Sequence, residues 1–459
     1  MKSPRLRRIA SASLSLLLVS SFVGAEPDPP VLVVLGDSIG EVVQSADARA
    51  ETQPYGYPNL VAYKLGTPFP LPYIQSGPLG VVGDTDARSR FFPDIPGANL
   101  AVSGADVDSL LFDAADATTE EEIDSETDLV LYPRLGSQMD IVETWPSTPD
   151  IVLCWIGNND ALSAVLSYDQ LDGSQMTDPV VFEQRFSEIA QRLGALGAKV
   201  AFANIPSITG IGFLLDGQDL IRLLGSDYGL AEGSRTSLMA MLLIKLGLED
   251  GSLISNPDYV LDSGEIAAIE ERIDAFNAII ATAAADIDAP VVDAHAIFHY
   301  FLNTPPTILG IPLGHRFPGG GIFSLDGVHP SNTAHLIVAN EFIGALNRHY
   351  HMSIPEVTGA EFLYIFWTDP HLDKDGDGKV TGRPYAGLLE TIAPLLGFSG
   401  DLDDTVASLA TRDLVDGAEL LGRYRRLQGR RPGAETDSLS ESPHLIELIE
   451  TTFGIKSRF

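Results

Sequence analysis

The sequence is poor in cysteine: Cys154 is the single example among 459 residues. One thiol cannot close an intramolecular disulfide, so no disulfide framework holds this chain together. It also leaves no cysteine at the N-terminal end to carry a lipid anchor. Cys154 lies in the apolar run 151–156, where a cysteine is typical of a small, buried core residue.

Positive charge is also scarce. The chain has 29 lysines and arginines against 63 aspartates and glutamates, and its formal net charge is −34. Nucleic acids and anionic membrane surfaces would repel a protein of this charge. We therefore expect no nucleic-acid partner. The acidity suits an exported protein but does not indicate a substrate.

Long apolar runs are nearly absent as well. Residues 9–22 form the one candidate, which follows a basic start and precedes the small residues 23–25. This arrangement predicts a secretory signal peptide over residues 1–25, cleaved after Ala25, and its removal takes the formal charge to −38. An uncleaved anchor is the alternative, but the run is short for a span. We expect a secreted or periplasmic protein with no membrane span.

What the sequence does contain is an abrupt strand-to-turn boundary near its start. Residues 31–35 are all valine or leucine, which predicts a short buried strand. Gly36, Asp37 and Ser38 break it, so Ser38 would stand where the chain leaves the sheet. Parallel sheets carry their chemistry at such ends. Gly-Asp-Ser is also typical of an ordinary turn, and a serine nucleophile needs a base and oxyanion donors from elsewhere.

Strand and helix patterns alternate along most of the remaining chain. Further strands are predicted at 99–105, 151–156, 199–205 and 290–293. Helices are predicted at 60–65, at 182–193 and after Asp262, where Glu265 completes a capping pair. This alternation predicts an α/β fold with helices on both faces of a parallel sheet.

Residues 207–257 interrupt the alternation and look inserted. They contain several apolar runs. One interpretation is a cap over the active site that lines an acyl pocket. The other is a set of helices packed on the main core, and hydrophobicity alone does not separate the two.

A candidate base follows near the end of the α/β region. Asp326 and His329 are three residues apart in a segment rich in turn residues. At this spacing the carboxylate can reach the imidazole Nδ1–H while Nε2 faces outward. An isolated histidine in a loop is usually just exposed, so the pair needs support from the rest of the chain.

Four blocks, taken in order, resemble those of the GDSL-type SGNH hydrolases, a family of esterases and lipases. They are Gly36–Ser38, Asn99–Ala105, Gly157–Asp160 and Asp326–Pro330. The resemblance covers residues 31 to about 350. It implies a flavodoxin-like three-layer α/β/α sandwich with a central parallel sheet. Ile39 is a small departure, since the family name implies leucine there.

The resemblance also implies roles for five residues. Ser38 would attack the acyl carbonyl, His329 would act as general base, and Asp326 would orient His329. The oxyanion would be held by the backbone N–H groups of Ser38 and Gly104 and by the side-chain amide of Asn159. No cofactor is implied for catalysis.

The character of the chain changes after residue 355. Asp373, Asp375, Asp377 and Gly378 match positions 1, 3, 5 and 6 of an EF-hand-type calcium loop over 373–384, with the carbonyl of Lys379 as a further ligand. Position 12 is Pro384 in place of the usual glutamate, so a carboxylate such as Glu390 would have to complete the site. A solvated acidic turn is the alternative. Any calcium here is expected to be structural.

The sequence thus predicts a signal peptide (1–25), an SGNH hydrolase domain (26–355) and a small, mainly helical C-terminal extension (356–459). The expected activity is hydrolysis of a small-molecule or lipid carboxylic ester, with acyl lipids favoured slightly by the apolar 207–257 segment and acetylated carbohydrates as the alternative. A non-catalytic, calcium-dependent binding protein on the same scaffold is a second hypothesis. A thioesterase or acyltransferase would keep the same residues.

Overall fold

The structure is a computed structural model that describes residues 30–166, 171–380 and 387–398. The predicted signal peptide and most of the predicted C-terminal extension beyond residue 398 lie outside these ranges. So do residues 381–384, the last part of the predicted calcium loop.

The strands and helices are short and numerous. The strands are β1 (Leu32–Gly36), β2 (Val43–Gln44), β3 (Asp47–Ala48), β4 (Ile74–Ser76), β5 (Arg88–Arg90), β6 (Ile151–Trp155), β7 (Lys199–Ala203), β8 (Leu214–Leu215), β9 (Arg235–Ser237), β10 (Val260–Leu261), β11 (Val291–Val292), β12 (Thr307–Ile308) and β13 (Ile311–Pro312). The helices are α1 (Ser38–Glu41), α2 (Tyr57–Leu65), α3 (Val107–Phe112), α4 (Glu126–Leu131), α5 (Gln138–Glu143), α6 (Asn158–Leu166), α7 (Pro179–Ala195), α8 (Gly217–Leu224), α9 (Leu238–Lys245), α10 (Ser263–Asp286), α11 (Ala294–Asn303), α12 (Asn332–Tyr350), α13 (Gly359–Thr368) and α14 (Leu388–Leu396).

The central sheet is parallel and has the order β1-β6-β7-β11. The predicted strand at 99–105 runs beside the free edge of β1 but forms one regular bridge, between Val34 and Asn99. Hydrogen bonds on either side of the bridge, from Leu100 N to Val34 O (2.8 Å) and from Val102 N to Gly36 O (3.1 Å), continue the pairing. With this segment included, the order is the 2-1-3-4-5 arrangement of flavodoxin-like folds.

Alternating side chains of β1 and β6 build one core on each face of the sheet. On one face, Val33 and Leu35 pack with the aromatic residues of α7 and α10. On the other, Leu32 and Val34 pack with residues of α2 and α12. Burying one such aliphatic side chain stabilises the fold by about 1.5–3 kcal/mol. The predicted three-layer α/β/α sandwich is confirmed.

Cys154 belongs to the first of these cores. It lies in β6, it is fully buried, and it is a free thiol. Burial raises the pKa of this thiol well above its ordinary value. The interpretation of Cys154 as a core residue agrees with this position.

The capping pair predicted at Asp262 begins the long helix α10. The Asp262 carboxylate accepts from the N–H groups of Gly264 (2.7 Å) and Glu265 (2.9 Å), and Glu265 Oε2 accepts from Asp262 N (2.8 Å). This reciprocal arrangement satisfies N–H groups that have no partner inside the helix. The helix then buries a stripe of apolar residues against α7.

Most of the segment 207–257 folds into a small unit of its own. β8, β9 and β10 form an antiparallel sheet, and α8 and α9 pack with it around a third apolar core. The same core also contains Phe317 and Leu325. It further contains Val380 and Phe398 of the predicted C-terminal extension, which we call the tail from here on. The segment therefore packs around a separate core and does not form a plain layer of helices on the main core. Residues of the tail contribute to that separate core.

Part of the tail packs against the body of the protein. Phe362 and Phe366 of α13 belong to the first core, as does Leu372. Leu372 also forms a backbone bridge with Gly320. Among the described residues, no helix combines the length and the apolarity needed to cross a bilayer.

Candidate active site

Ser38 is the first residue of α1, immediately after β1 ends. The chain turns there because Asp37 caps the helix: Asp37 Oδ1 accepts from Ile39 N at 2.9 Å. Gly36 allows the turn to lie against β6, since a Cβ on it would come within 2.4 Å of the Trp155 carbonyl oxygen. A larger residue would push the serine away from the sheet. The predicted position of Ser38 at the carboxyl end of a parallel strand is thus observed.

Asp37 is buried beneath the serine and is held by a second loop. Asn158 Nδ2, at the start of α6, donates to Asp37 Oδ2 at 2.8 Å. Burial raises the pKa of Asp37 to about 6, while the hydrogen bond from Asn158 and the charge of His329 act in the opposite direction.

Asp326 and His329 form a close pair. Their atoms Oδ2 and Nδ1 are 2.7 Å apart, and both side chains are largely buried. The other oxygen of Asp326 accepts from the N–H groups of Val328 and His329, each at 2.8 Å. Burial alone would raise the pKa of Asp326, but the positive charge of His329 and these hydrogen bonds hold it below its ordinary range.

The protonation of this pair follows from its hydrogen bonds. An ionised carboxylate can only accept, so the proton between the two side chains belongs to Nδ1 of His329. The neutral imidazole then has its lone pair on Nε2. This is the tautomer that a general base requires, and it leaves Nε2 available to take a proton from a nucleophile.

The Asp326 loop is tied to the segment that follows Ser38. Ala46 N donates to Asp326 Oδ2 at 2.8 Å, and Ser45 N donates to Ser324 Oγ at 2.9 Å. Ser324 Oγ in turn donates to Asp326 Oδ1 at 3.1 Å. Residues 45 and 46 are the turn between β2 and β3, which begins directly after α1. These bonds link the predicted acid–base pair to the turn that follows α1, the helix that begins at Ser38.

Gly104 and Asn159 lie in neighbouring loops at the same end of the sheet. Asn159 Nδ2 donates to Ala105 O at 2.8 Å, so its amide is fixed against the loop that contains Gly104. Gly104 has φ +82°, a conformation that other residues adopt only with strain, although a Cβ there would meet no neighbouring atom. The side chain of Asn159 is therefore hydrogen-bonded to the residue that follows Gly104.

Asp160 supports the same pair of loops from behind. Its Oδ2 accepts from Val107 N, the first residue of α3, at 3.1 Å, and its carbonyl accepts from Thr177 N at 3.0 Å. Burial raises the pKa of Asp160 to about 7, against the lowering effect of its hydrogen bonds. Asp37, Asn158 and Asp160 thus hold the loops in place.

Glu41 links the serine helix to the Gly104 loop and was not predicted. Its Oε2 accepts from Ser103 N at 2.6 Å, and its Oε1 lies 3.6 Å from Arg88 Nη2. Arg88 also pairs with Asp47 and Glu126. Burial and the neighbouring Glu126 raise the pKa of Glu41. A buried charge network therefore underlies the residues around Ser38.

These supporting residues gave little signal in the sequence. Glu41 and Ser103 are 62 positions apart, and a lone buried glutamate has no periodic pattern that would reveal it. Ser324 lies two residues before the block that contains Asp326 and His329, so its proximity to Asp326 could have been inferred. The turn at Ser45 and Ala46 carries no glycine or asparagine, which hides it from a search for turns.

An apolar cleft of about 90 Å³ lies at the carboxyl edge of the sheet. Ile39, which follows Ser38, and Val328 and Pro330, which flank His329, contribute to its lining. The remaining wall comes mainly from α11, the start of α12 and Phe323; Ile211 is its one contribution from the segment 207–257. The interpretation of that segment as a cap that lines an acyl pocket receives little support from this cleft, which is lined largely by other residues.

The predicted calcium ligands Asp373, Asp375 and Asp377 are close together. Each offers a carboxylate oxygen, and these oxygens lie within 4.8 Å of one another. Backbone N–H groups also fold the loop around Asp373, whose two oxygens accept from Gly376 (2.7 Å) and Gly378 (2.8 Å). The carbonyl of Lys379 stays a predicted ligand.

Glu390, which was considered as an additional calcium ligand, is engaged elsewhere. Its Oε1 accepts from Ser45 Oγ at 2.7 Å and lies 3.6 Å from Arg49 Nη2. His371 Nε2 is 3.9 Å from the same oxygen. The side chain is buried in the body of the protein, so it does not complete the loop.

The family model for GDSL-like lipases and acylhydrolases matches residues 32–342. Among solved structures, LAE5, an alpha/beta hydrolase enzyme from the metagenome of Lake Arreo in Spain, is similar with 15% identity and a TM-score of 0.34, over 69% of this chain and 95% of that one. The acetylxylan esterase Axe2 from Geobacillus stearothermophilus is similar with 16% identity and a TM-score of 0.34, over 70% and 94%. Neither likeness is strong enough to indicate a substrate. No curated protein matches the sequence.

Proposed function

The chain belongs to the family of GDSL-like lipases and acylhydrolases and is a carboxylic ester hydrolase, and we propose that it works through an acyl-enzyme formed on Ser38. The observation that carries the proposal is the 2.7 Å contact between Asp326 Oδ2 and His329 Nδ1, in a loop bonded to the turn that follows the serine helix. A histidine oriented in this way, in a loop bonded to the chain just after the serine helix, supports a role as the base for Ser38.

In the first step His329 Nε2 accepts the proton of Ser38 Oγ as that oxygen attacks the ester carbonyl. Asp326 keeps the imidazole in the productive tautomer and stabilises the imidazolium that forms. The same imidazolium then gives its proton to the departing alcohol. Water repeats the sequence on the acyl-enzyme and releases the acid.

The oxyanion of each tetrahedral intermediate is stabilised by three donors. They are the backbone N–H groups of Ser38 and Gly104 and the Nδ2–H₂ group of Asn159. Because one hydrogen of that amide is bonded to Ala105 O, the second has a fixed direction. Donors held in advance in this way lower the barrier, since they need no reorganisation as charge develops.

The apolar cleft favours an ester whose acyl group is a short or medium hydrocarbon chain. Its lining includes Ile39, Val328 and Pro330, which are the chain neighbours of Ser38 and His329. A cavity of about 150 Å³ binds benzene, so the 90 Å³ here has room for roughly four carbons. Longer chains would extend into solvent. We therefore propose acyl esters of this kind as substrates, ahead of acetylated carbohydrates.

The test is hydrolysis of p-nitrophenyl esters from acetate to palmitate by the wild-type protein and its Ser38→Ala variant. We expect turnover that peaks between butyrate and hexanoate and falls by roughly 10³-fold or more in Ser38→Ala, since the nucleophile is lost. A fluorophosphonate probe should label the wild-type protein and leave the variant unlabelled. An optimum at acetate would contradict the acyl cleft but not the esterase.

No turnover on any chain length, together with no labelling of Ser38, would overturn the enzymatic mechanism. The non-catalytic scaffold would then be the better explanation. Turnover of thioesters or transfer to an added alcohol, in excess of hydrolysis, would instead indicate a thioesterase or an acyltransferase that uses the same residues.

We further propose export and a structural calcium ion. Export rests on the sequence of residues 1–25. Calcium rests on the carboxylate oxygens of Asp373, Asp375 and Asp377, which fit a hard cation because they are anionic and converge within 4.8 Å. The ion would hold the loop together and take no part in ester hydrolysis.

A further inference from the structure

The turn between β2 and β3 has an unusual backbone for its residues. Ser45 and Ala46 both have positive φ angles, +57° and +66°. Two-residue hairpin loops of this type usually contain asparagine and glycine, because other side chains are strained there. A Ser-Ala turn in this conformation therefore depends on contacts with its surroundings.

Two of those contacts reach the proposed acid–base pair. Ala46 N donates to Asp326 Oδ2, the same oxygen that contacts His329 Nδ1. Ser45 N donates to Ser324 Oγ, which donates to the other oxygen of Asp326. The strained turn thus supplies part of the hydrogen bonding that fixes the plane of the Asp326 carboxylate.

A third contact comes from the C-terminal tail. Ser45 Oγ donates to Glu390 Oε1 at 2.7 Å and accepts from Leu325 N at 3.3 Å. Glu390 lies in α14 and is 4% exposed. Its charge is balanced by Arg49, at 3.6 Å. The hydroxyl of Ser45 therefore joins the tail, the turn and the loop of Asp326 at one buried point.

We propose that Glu390 is a positioning residue for ester hydrolysis. By accepting from Ser45 Oγ, it keeps the Ser45–Ala46 turn in the conformation whose N–H groups orient Asp326. Asp326 in turn orients His329. The inference rests on the proposed roles of Asp326 and His329, and it makes the tail part of the machinery behind the active site.

The test compares Glu390→Gln, Glu390→Met and Ser45→Ala in the full-length protein, with p-nitrophenyl butyrate as substrate. Glutamine keeps an acceptor for Ser45 Oγ, whereas methionine has a similar length and no such acceptor. Ser45→Ala removes the hydroxyl but leaves Glu390 with Arg49. Small displacements of a base have large effects on rate, so we expect kcat to fall roughly tenfold or more in Glu390→Met and Ser45→Ala.

KM should stay within about twofold in both variants, because the cleft is untouched, and Glu390→Gln should recover most of kcat. Glu361→Gln is the control: Glu361 is also in the tail and pairs with Lys64 at 2.6 Å, and it caps α13. We expect it to lower the unfolding temperature without lowering kcat of the folded protein.

Wild-type kcat in a folded Ser45→Ala protein would overturn the inference, and this variant decides the matter should Glu390→Met fail to fold. A loss of stability with kcat unchanged would assign Glu390 to the fold alone. If the wild-type protein itself neither hydrolyses the ester nor reacts with a fluorophosphonate, the proposed function fails and this inference fails with it.

Discussion

The side-chain amide of Asn159 has two hydrogens, and one of them is hydrogen-bonded to Ala105 O. The other hydrogen is the one proposed to meet the oxyanion. In Asn159→Ala this donor is lost, and we expect kcat on p-nitrophenyl butyrate to fall about 10²–10³-fold with a smaller change in KM.

The matched control is Asn59→Ala. Asn59 Nδ2 donates to Pro54 O at 2.9 Å, a bond of the same kind made by a residue of α2 that has no proposed role in catalysis. Equal losses of kcat in the two variants would mean that Asn159 matters for folding and not for the oxyanion. Initial rates over a range of ester concentrations distinguish the two cases.

Single residues could be proposed from the sequence where a short block carries them. Ser38, Gly104, Asn159, Asp326 and His329 each stand in a distinctive run of three to seven residues, and the structure brings their loops to one end of the sheet. Glu41, Arg88 and Ser45 were not predicted, because their hydrogen-bond and ion-pair partners lie far away along the chain. A buried charge becomes interpretable only when the residues that neutralise it are known.

Among the elements, the loop at Asp373–Lys379 makes a specific prediction about metal binding. Calcium that binds the folded loop and not the unfolded chain must stabilise the protein. We expect about 1 mM calcium to raise the unfolding temperature of the wild-type protein by roughly 2 °C or more. Asp375→Asn should abolish most of this rise, since it removes one of three carboxylates and still accepts from Asp377 N.

Asp227→Asn is the control for this experiment. Asp227 Oδ1 accepts from Gly229 N, two residues on, just as Asp375 Oδ1 accepts from Asp377 N. The protein is so acidic that any cation relieves some repulsion. A calcium effect that survives in Asp375→Asn, or that magnesium reproduces fully, would argue for this general effect and against a site.

Elements were predictable where local pattern and tertiary packing agree. The Asp262–Glu265 cap and the apolar stripe behind it gave α10 correctly. The strand expected at 99–105 forms hydrogen bonds to β1 as far as Val102 but makes one regular bridge with it. The segment 207–257 was harder, since its apolar runs pack partly against residues of the tail that lie about 150 positions later.

At the scale of the whole molecule, three buried carboxyls should lose their contribution to stability as pH rises from about 4 to 7. Burial raises the pKa of Asp160 to about 7 and those of Asp37 and Asp47 to about 6. In this window each of these three carboxyls binds more protons in the folded chain than in the unfolded chain, so their contribution to stability falls as the pH rises. His335 acts in the opposite direction, because burial lowers its pKa to about 3. Asp326 also acts in the opposite direction, because its lowered pKa gives stability that is lost only in stronger acid.

Asp160→Asn isolates the largest of these contributions. The amide oxygen can still accept from Val107 N but never ionises, so the variant should gain stability relative to wild type as pH rises from about 4 to 7, by at most about 1.4 kcal/mol per pH unit. Denaturant unfolding at several pH values measures the difference. Asp86→Asn, at an exposed aspartate, is the control, and parallel pH dependence of Asp160→Asn and wild type would contradict the prediction.

The burial of Cys154 in β6 has a practical consequence. The chain has no other cysteine, and this one is hidden from solvent with its thiolate form suppressed. A maleimide dye should therefore not react with the native protein. One cysteine introduced at an exposed position, such as Ser174, would become the sole attachment point for a fluorophore or a solid support, without any need to remove the natural thiol first.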